Sequence, residues 1–434
     1  MVRNLWSIET ALAVLLACAI SGVHAQTPPL VGYLHNWNDA NAPYVPLDQI
    51  DARYGVVNVS FAVPSVGTDY DMTFVPDQVS PTVFADQVQA LKAEGRQVNI
   101  SIGGATAPIV LSSTQERDAF VSSLSDIIST YGFNGLDIDL EGNSLVLSGG
   151  TIASPTDQSI VLLIEAIGEV MATYRVQTGQ KLFLSMAPET AYVQGGMSAY
   201  GSIWGAYLPV IDALRDSIDL LHVQLYNSGT MYGIDGGIYG QGTADFIISQ
   251  TEAVIQGFGT TGGQFEGLPA HKVAVGLPAC VSAAGGGYTD AATITAAMAY
   301  LMGTGPQPGS YELAQQGGYP DLGGLMTWSI NWDAVPNCGN AYAFADVFED
   351  VFGTVTSSSA DMATQQRLVV WPNPTTDVLH IDPSMKQHSI RLTDPMGRIV
   401  LVKEEASGSL DLSHLPRGMY WLQCGGLTRK VVLR

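Results

Sequence analysis

The sequence predicts an α/β chain: a (β/α)8 TIM barrel followed by a small all-β sandwich. Short apolar runs alternate with amphipathic helical stretches along most of its length. The charge balance then reverses near residue 356. Beyond that point, strand-like runs are separated by turn residues with no helical pattern between them.

Eight apolar runs are the expected barrel strands, at 30–34, 56–63, 97–102, 135–140, 182–186, 220–226, 272–277 and 324–329. Several are apolar throughout, as in parallel strands covered on both faces. The intervening helices are legible from their ends and faces. One opens at Ser80-Pro81, a cap followed by proline at the first helical position, with Phe84, Val88 and Leu91 on one face. Another carries Phe120, Leu124, Ile127 and Ile128 and stops at Gly132. A third carries Leu163, Ile167, Val170, Met171 and Tyr174. A doubly wound open sheet is the alternative, but no glycine-rich phosphate turn follows the first run.

The domain limits follow from composition. Residues 26–366 hold 8 Lys+Arg against 33 Asp+Glu, a net of −25, whereas residues 367–434 hold 9 against 6, a net of +3. Between them lies the polar run Thr354-Val355-Thr356-Ser357-Ser358-Ser359-Ala360, which reads as a linker. The expected parts are a barrel over 26–353, a linker over 354–366 and a sandwich over 367–434. The sandwich strands fall at 368–371, 378–381, 390–392, 399–401, 419–423 and 430–433, with Asn373-Pro374, Asp394-Pro395, Gly397 and Pro416-Arg417-Gly418 as punctuation.

Residues 1–25 read as an export leader: Arg3, an apolar core over 11–20, and Val23-His24-Ala25 before the cut. That core is shorter than the ~20 residues a membrane span needs, and no later run is long and apolar enough. A secreted protein is expected. The overall net charge of −22 excludes nucleic acid as a partner, because phosphate binding needs a basic face. No His/Cys cluster has zinc spacing, so neither metal nor cofactor is expected. A monomer is expected as well. Of the cysteines beyond the leader, Cys280 and Cys338 either pair or remain two buried thiols.

The chemistry concentrates in Asn134-Gly135-Leu136-Asp137-Ile138-Asp139-Leu140-Glu141. Residues two apart in a strand share a face, so Asp137, Asp139 and Glu141 line up inside while the aliphatics face the helices. Like charges so close cannot all ionise, so at least one pKa rises, and a carboxyl kept protonated is what a general acid needs. Glu141 stands at the C-terminal end of the strand, where barrel enzymes place their chemistry. A divalent-cation site is the competing reading of the spacing.

The stretch resembles the Asp-x-x-Asp-x-Asp-x-Glu signature of glycoside hydrolase family 18, the chitinase and endo-β-N-acetylglucosaminidase family. Ser101-Ile102-Gly103-Gly104 is similar to the family's Ser-x-Gly-Gly, and Val31-Gly32-Tyr33, Phe61, Met186-Ala187-Pro188-Glu189, Gln224-Leu225-Tyr226-Asn227 and Trp328 also match, in order. The resemblance implies substrate-assisted retention. Glu141 would be the proton donor, Asp139 would orient the substrate's acetamido group, Asp137 would support Asp139, and Tyr226 would hydrogen-bond the acetyl oxygen. Trp328 would floor the pocket, with Tyr33, Phe61, Gly104, Met186, Glu189, Gln224 and Asn227 shaping it. The family's first Asp is Asn134 here, which cannot share a proton with Asp137 and would shift the rate or pH optimum if that sharing mattered. Glu189 reads equally as a structural hydrogen-bond partner. Trp37, Trp204 and Trp332 are sugar platforms or core residues, and His222 reads as a satisfied core histidine.

Trp371-Pro372-Asn373-Pro374-Thr375-Thr376-Asp377, Asp394-Pro395-Met396-Gly397-Arg398, the turn from Leu415 to Tyr420 and the terminal Lys430-Val431-Val432-Leu433-Arg434 resemble a type IX secretion sorting domain. That resemblance implies recognition by export machinery, then removal of the domain; a carbohydrate-binding module is the alternative. For the whole chain, a chitinase leads. An endo-β-N-acetylglucosaminidase acting on N-glycans and a non-catalytic sugar-binding protein are the other readings. The segments 36–44, 192–204 and 226–239 would form the substrate rim.

Overall fold

The computed structural model describes residues 28–336, 339–353, 368, 370–381, 385, 388–394, 397–403, 408–424 and 427–434. The expected leader, the linker and Cys338 lie outside the described residues.

Eight parallel strands form the barrel: β1 (Leu30–His35), β2 (Tyr54–Pro64), β3 (Gln97–Gly104), β4 (Gly135–Leu140), β5 (Phe183–Met186), β6 (Leu220–Leu221), β7 (Ala274–Pro278) and β8 (Gly324–Trp328). They pair in chain order, and β8 returns to β1 with Leu30 opposite Leu325. β6 is shorter than its apolar run. Past it the chain continues through single bridges, and Gln224 pairs with Gly276 on β7. A side chain at Gly276 would lie 2.5 Å from the Val223 carbonyl oxygen, so closure there depends on glycine.

Helices cover the outside: α1 (Pro81–Ala93), α2 (Thr114–Tyr131), α3 (Gln158–Thr178), α4 (Leu208–Leu214), α5 (Ala244–Gln256), α6 (Ala291–Leu301), α7 (Ile330–Asp333) and α8 (Ala343–Phe352). Ser80 caps α1 through its hydroxyl and Pro81 follows at the first position, as the sequence requires. Ser113 caps α2, and Gly132 ends it with φ of 71°. The predicted faces of α1 and α2 are the buried ones, and α3 buries Leu163, Ile167, Val170 and Met171. The crossover from β1 to β2 departs from the alternation. It holds a single 3-10 turn, Leu47–Gln49, in a stretch where Pro43 and Pro46 cannot supply backbone donors.

Two apolar layers result. Leu136, Ile138 and Leu140 join the large cluster between strands and helices, while Val31, Tyr33, Val56, Leu220 and Met326 fill the barrel interior. Cys280 is disulfide-bonded, and Cys424 is free and buried.

The ladders of the C-terminal region are antiparallel, with one parallel bridge from Thr375 to Leu433. One sheet orders β9 (Val370–Trp371), β10 (Val378–Ile381) and β13 (Ser409–Asp411). The other orders β12 (Ile399–Lys403), β11 (Ile390–Thr393), β14 (Gly418–Cys424) and β15 (Leu427–Leu433). Leu379, Ile381, Ile390, Leu392, Leu410, Leu422 and Val431 pack between them. β13 escaped the sequence reading because only Leu410 of its three residues is buried. This region meets the barrel through opposite charges, Arg429 on Asp216 and Arg434 on Asp212, and the Trp371 indole lies beside Gly168 of α3.

Candidate active site

The acid row stands where the alternation of β4 puts it. Asp137 is fully buried and accepts hydroxyl hydrogens from Tyr33 at 2.6 Å, Ser101 at 2.7 Å and Ser185 at 2.5 Å, one from each of β1, β3 and β5. His222 Nε2 lies 3.5 Å from the same carboxyl. The expectation that His222 is a satisfied core histidine is corrected: neither ring nitrogen has a hydrogen-bond partner among the described residues. Burial lowers its pKa, opposed by the charge of Asp137.

One turn of pleat higher, Asp139 receives the Gln224 amide at 2.8 Å. The same nitrogen reaches Glu141 at 3.1 Å and the Ala187 carbonyl at 3.0 Å. Burial first, then Glu141 and Asp137, hold the Asp139 carboxyl well above the usual carboxylate range. Glu141 is half-buried at the strand's C-terminal end. Glu189 stands nearby, its pKa raised by burial and by Glu141. Tyr226 is buried beside the acids, and burial with Asp139 and Glu141 pushes its hydroxyl well above the usual range. Tyr192, pushed up to about 12 mainly by burial, donates to the Gly142 carbonyl at 2.5 Å.

β3 comes close to β4 because Gly103, at φ of 100°, has no side chain; a Cβ there would lie 2.2 Å from the Asp139 carbonyl oxygen. Gly104 lies against the Phe61 ring. Above the acids is an aromatic group. Phe61 stacks on Trp328 at 6.1 Å and 14°, and Tyr33 meets Trp328 at 5.6 Å.

Other candidates lie elsewhere. Met186 is paired in register with Ile138 and fully buried in the helix-facing cluster, so it lies on the opposite side of the sheet from the acids. Asn227 is exposed, and its backbone and side chain hold Gly286. Asn134 precedes β4 and bonds the Val98 amide at 2.7 Å and Gln97. It faces the barrel's other end, so the expected effect of losing an acid beside Asp137 is corrected. Three hydroxyls serve that carboxyl instead, of which Ser185 carried no sequence cue. Trp332 packs on the core, whereas Trp37 and Trp204 are partly exposed. Among the described residues no group of three His, Cys, Asp or Glu is arranged to hold a metal, and no helix is long and apolar enough to cross a membrane.

A parallel barrel with paired carboxyls and stacked aromatics at its C-terminal mouth is an architecture used for polysaccharide cleavage. Residues 29–308 match the model for glycosyl hydrolases family 18, and the chain belongs to that family. Residues 369–434 match a secretion system C-terminal sorting domain, which makes the chain a secreted or cell-surface protein. Chitinase Chi52 of Paenibacillus xylanexedens is 46% identical over 71% of this chain and 59% of its own length. Chitinase D of Niallia circulans is also 46% identical, over the same shares. The chain thus spans about three-fifths of the length of these relatives. A family GH18 chitinase from Chromobacterium violaceum superposes with a TM-score of 0.67 at 34% identity, covering 76% of this chain and 84% of that one.

Proposed function

We propose that the chain is a secreted chitinase that hydrolyses β-1,4 bonds between N-acetylglucosamine units by substrate-assisted, retaining catalysis. The observation that carries the reading is the Gln224 amide joining Asp139 to Glu141 beneath the Phe61–Trp328 stack. That geometry supports one carboxyl as donor and a second as its partner within a single hydrogen-bonded unit. The 46% identity to two proteins named chitinases supports the substrate class.

In this reading Glu141 protonates the glycosidic oxygen as the bond to the anomeric carbon breaks. The substrate's acetamido oxygen attacks that carbon and forms an oxazolinium ion. Asp139 orients the acetamido group and faces the developing charge, while Asp137, held by three hydroxyls, supports Asp139 from below. Tyr226 donates to the acetyl oxygen. Water then opens the oxazolinium at the anomeric carbon and returns a proton to Glu141, so configuration is retained. Tyr33, Phe61 and Trp328 form the apolar floor, and Gln224 and Glu189 complete the wall. The C-terminal region is the partner of a type IX export machine, and the chain acts as a monomer.

Proton NMR of the first products from an N-acetylglucosamine hexamer tests the mechanism. The β-anomer is expected to appear first; an initial α-anomer would contradict retention.

A further inference from the structure

Beside the acid row the barrel mouth holds a second arrangement, of which the reaction above uses only Trp328. His35 ends β1 and is 3% exposed. Its backbone N–H donates to Asn331 Oδ1 at 2.8 Å, and its Nε2 lies 2.8 Å from Ser329 Oγ. The imidazole stacks on Trp37 with centroids 4.6 Å apart and planes 8° from parallel. It also meets Trp328 at 4.9 Å and 40°.

Each contact fixes one ring against another. Ser329 follows Trp328 directly, and its hydroxyl also caps α7 at the Trp332 amide. Asn331 donates to the Pro43 carbonyl at 2.9 Å, tying down the loop that carries Trp37. Trp37 is 37% exposed and lies 6.4 Å from Phe61 at 25°, so its plane continues the Phe61–Trp328 stack toward solvent. An exposed indole would lose rotamer freedom on binding a sugar face; one already stacked has lost it beforehand. Burial holds the imidazole pKa down at about 4 against the pull of Asp39, which keeps the stack uncharged near neutrality.

We propose that His35 is a positioning residue that holds Trp37 in the plane that extends the Trp328 floor toward solvent, giving one stacking surface for consecutive sugar rings, and so sets how strongly a longer chain is preferred over a shorter one. The proposal rests on the chitin reading above.

Steady-state rates of the full chain on the N-acetylglucosamine trimer and hexamer test it, for the parent, His35→Ala, His35→Phe, Trp37→Ala and the His35→Ala/Trp37→Ala pair. His35→Ala is expected to raise KM for the hexamer about 5-fold, while both kcat values and the trimer KM stay within about twofold. The paired variant is expected to be no worse than Trp37→Ala alone, because both act on one surface. His35→Phe keeps a stacking ring without the Ser329 bond, retains the parent's melting temperature, and gives a hexamer KM between those of the parent and His35→Ala. Equal losses of kcat on both substrates, or additive losses in the pair, overturn the proposal. A parent that neither binds nor cuts the hexamer overturns the chitin reading itself, and this proposal with it.

Discussion

The side-chain amide of Gln224 donates to Asp139 across 2.8 Å, joining the bridged segment that follows β6 to the middle of the acid row. Because the same nitrogen also reaches Glu141, one neutral donor serves two carboxyls that lie close enough to hydrogen-bond each other. Removing it as Gln224→Ala is expected to lower kcat about 100-fold, the size of effect that a lost active-site donor produces. Initial rates on chitin oligosaccharides check this; a variant within a few-fold of the parent would make Gln224 a packing residue.

The raised pKa of Asp139 has a defined consequence for stability. Unfolded, the group titrates near about 3.9. Between that pH and its higher folded value, the folded protein keeps a proton that the unfolded chain has lost. Stability from this group is therefore complete below the unfolded pKa and is lost as pH rises through the folded one. Asp139→Asn removes that slope. Its melting temperature relative to the parent is expected to be higher at about pH 8 than at about pH 4; a constant difference would show that Asp139 titrates normally.

Gly103 is expected to tolerate no side chain. Gly103→Ala must adopt φ of 100° and place Cβ against the Asp139 carbonyl oxygen. A loss of about 2 kcal/mol or more in urea unfolding follows. An unchanged midpoint would mean that β3 and β4 move apart freely.

Ser185 is one of three hydroxyls on Asp137. Ser185→Ala leaves Tyr33 and Ser101 in place, so the expected cost is about 1–2 kcal/mol of stability with the fold intact. Thermal or urea unfolding of the variant checks it, and loss of folding altogether would mean that the buried carboxyl depends on all three donors.

Much of this was legible in the sequence, for reasons that differ by element. The period of two in β4 puts Asp137, Asp139 and Glu141 on one face from the sequence alone. The helix faces and caps at Ser80 and Gly132 were equally direct, because local chemistry dictates them. What escaped depends on long-range register. Nothing local marks Ser185 as a partner of Asp137, 48 residues away, nor turns His222 toward the same carboxyl. Met186 was misassigned because a motif gives order but not which face of the sheet a side chain takes. Asn134 lies just outside the strand, where the period of two no longer governs direction.

The measurement that bears most directly on the central claim compares the full chain with its Glu141→Gln variant on chitin oligosaccharides and on an N-glycosylated protein, with products read by mass spectrometry. The account predicts that the parent shortens the oligosaccharides, that Glu141→Gln binds them uncut, and that the glycoprotein is untouched. Cleavage of only the glycoprotein, or undiminished cleavage by Glu141→Gln, would contradict it.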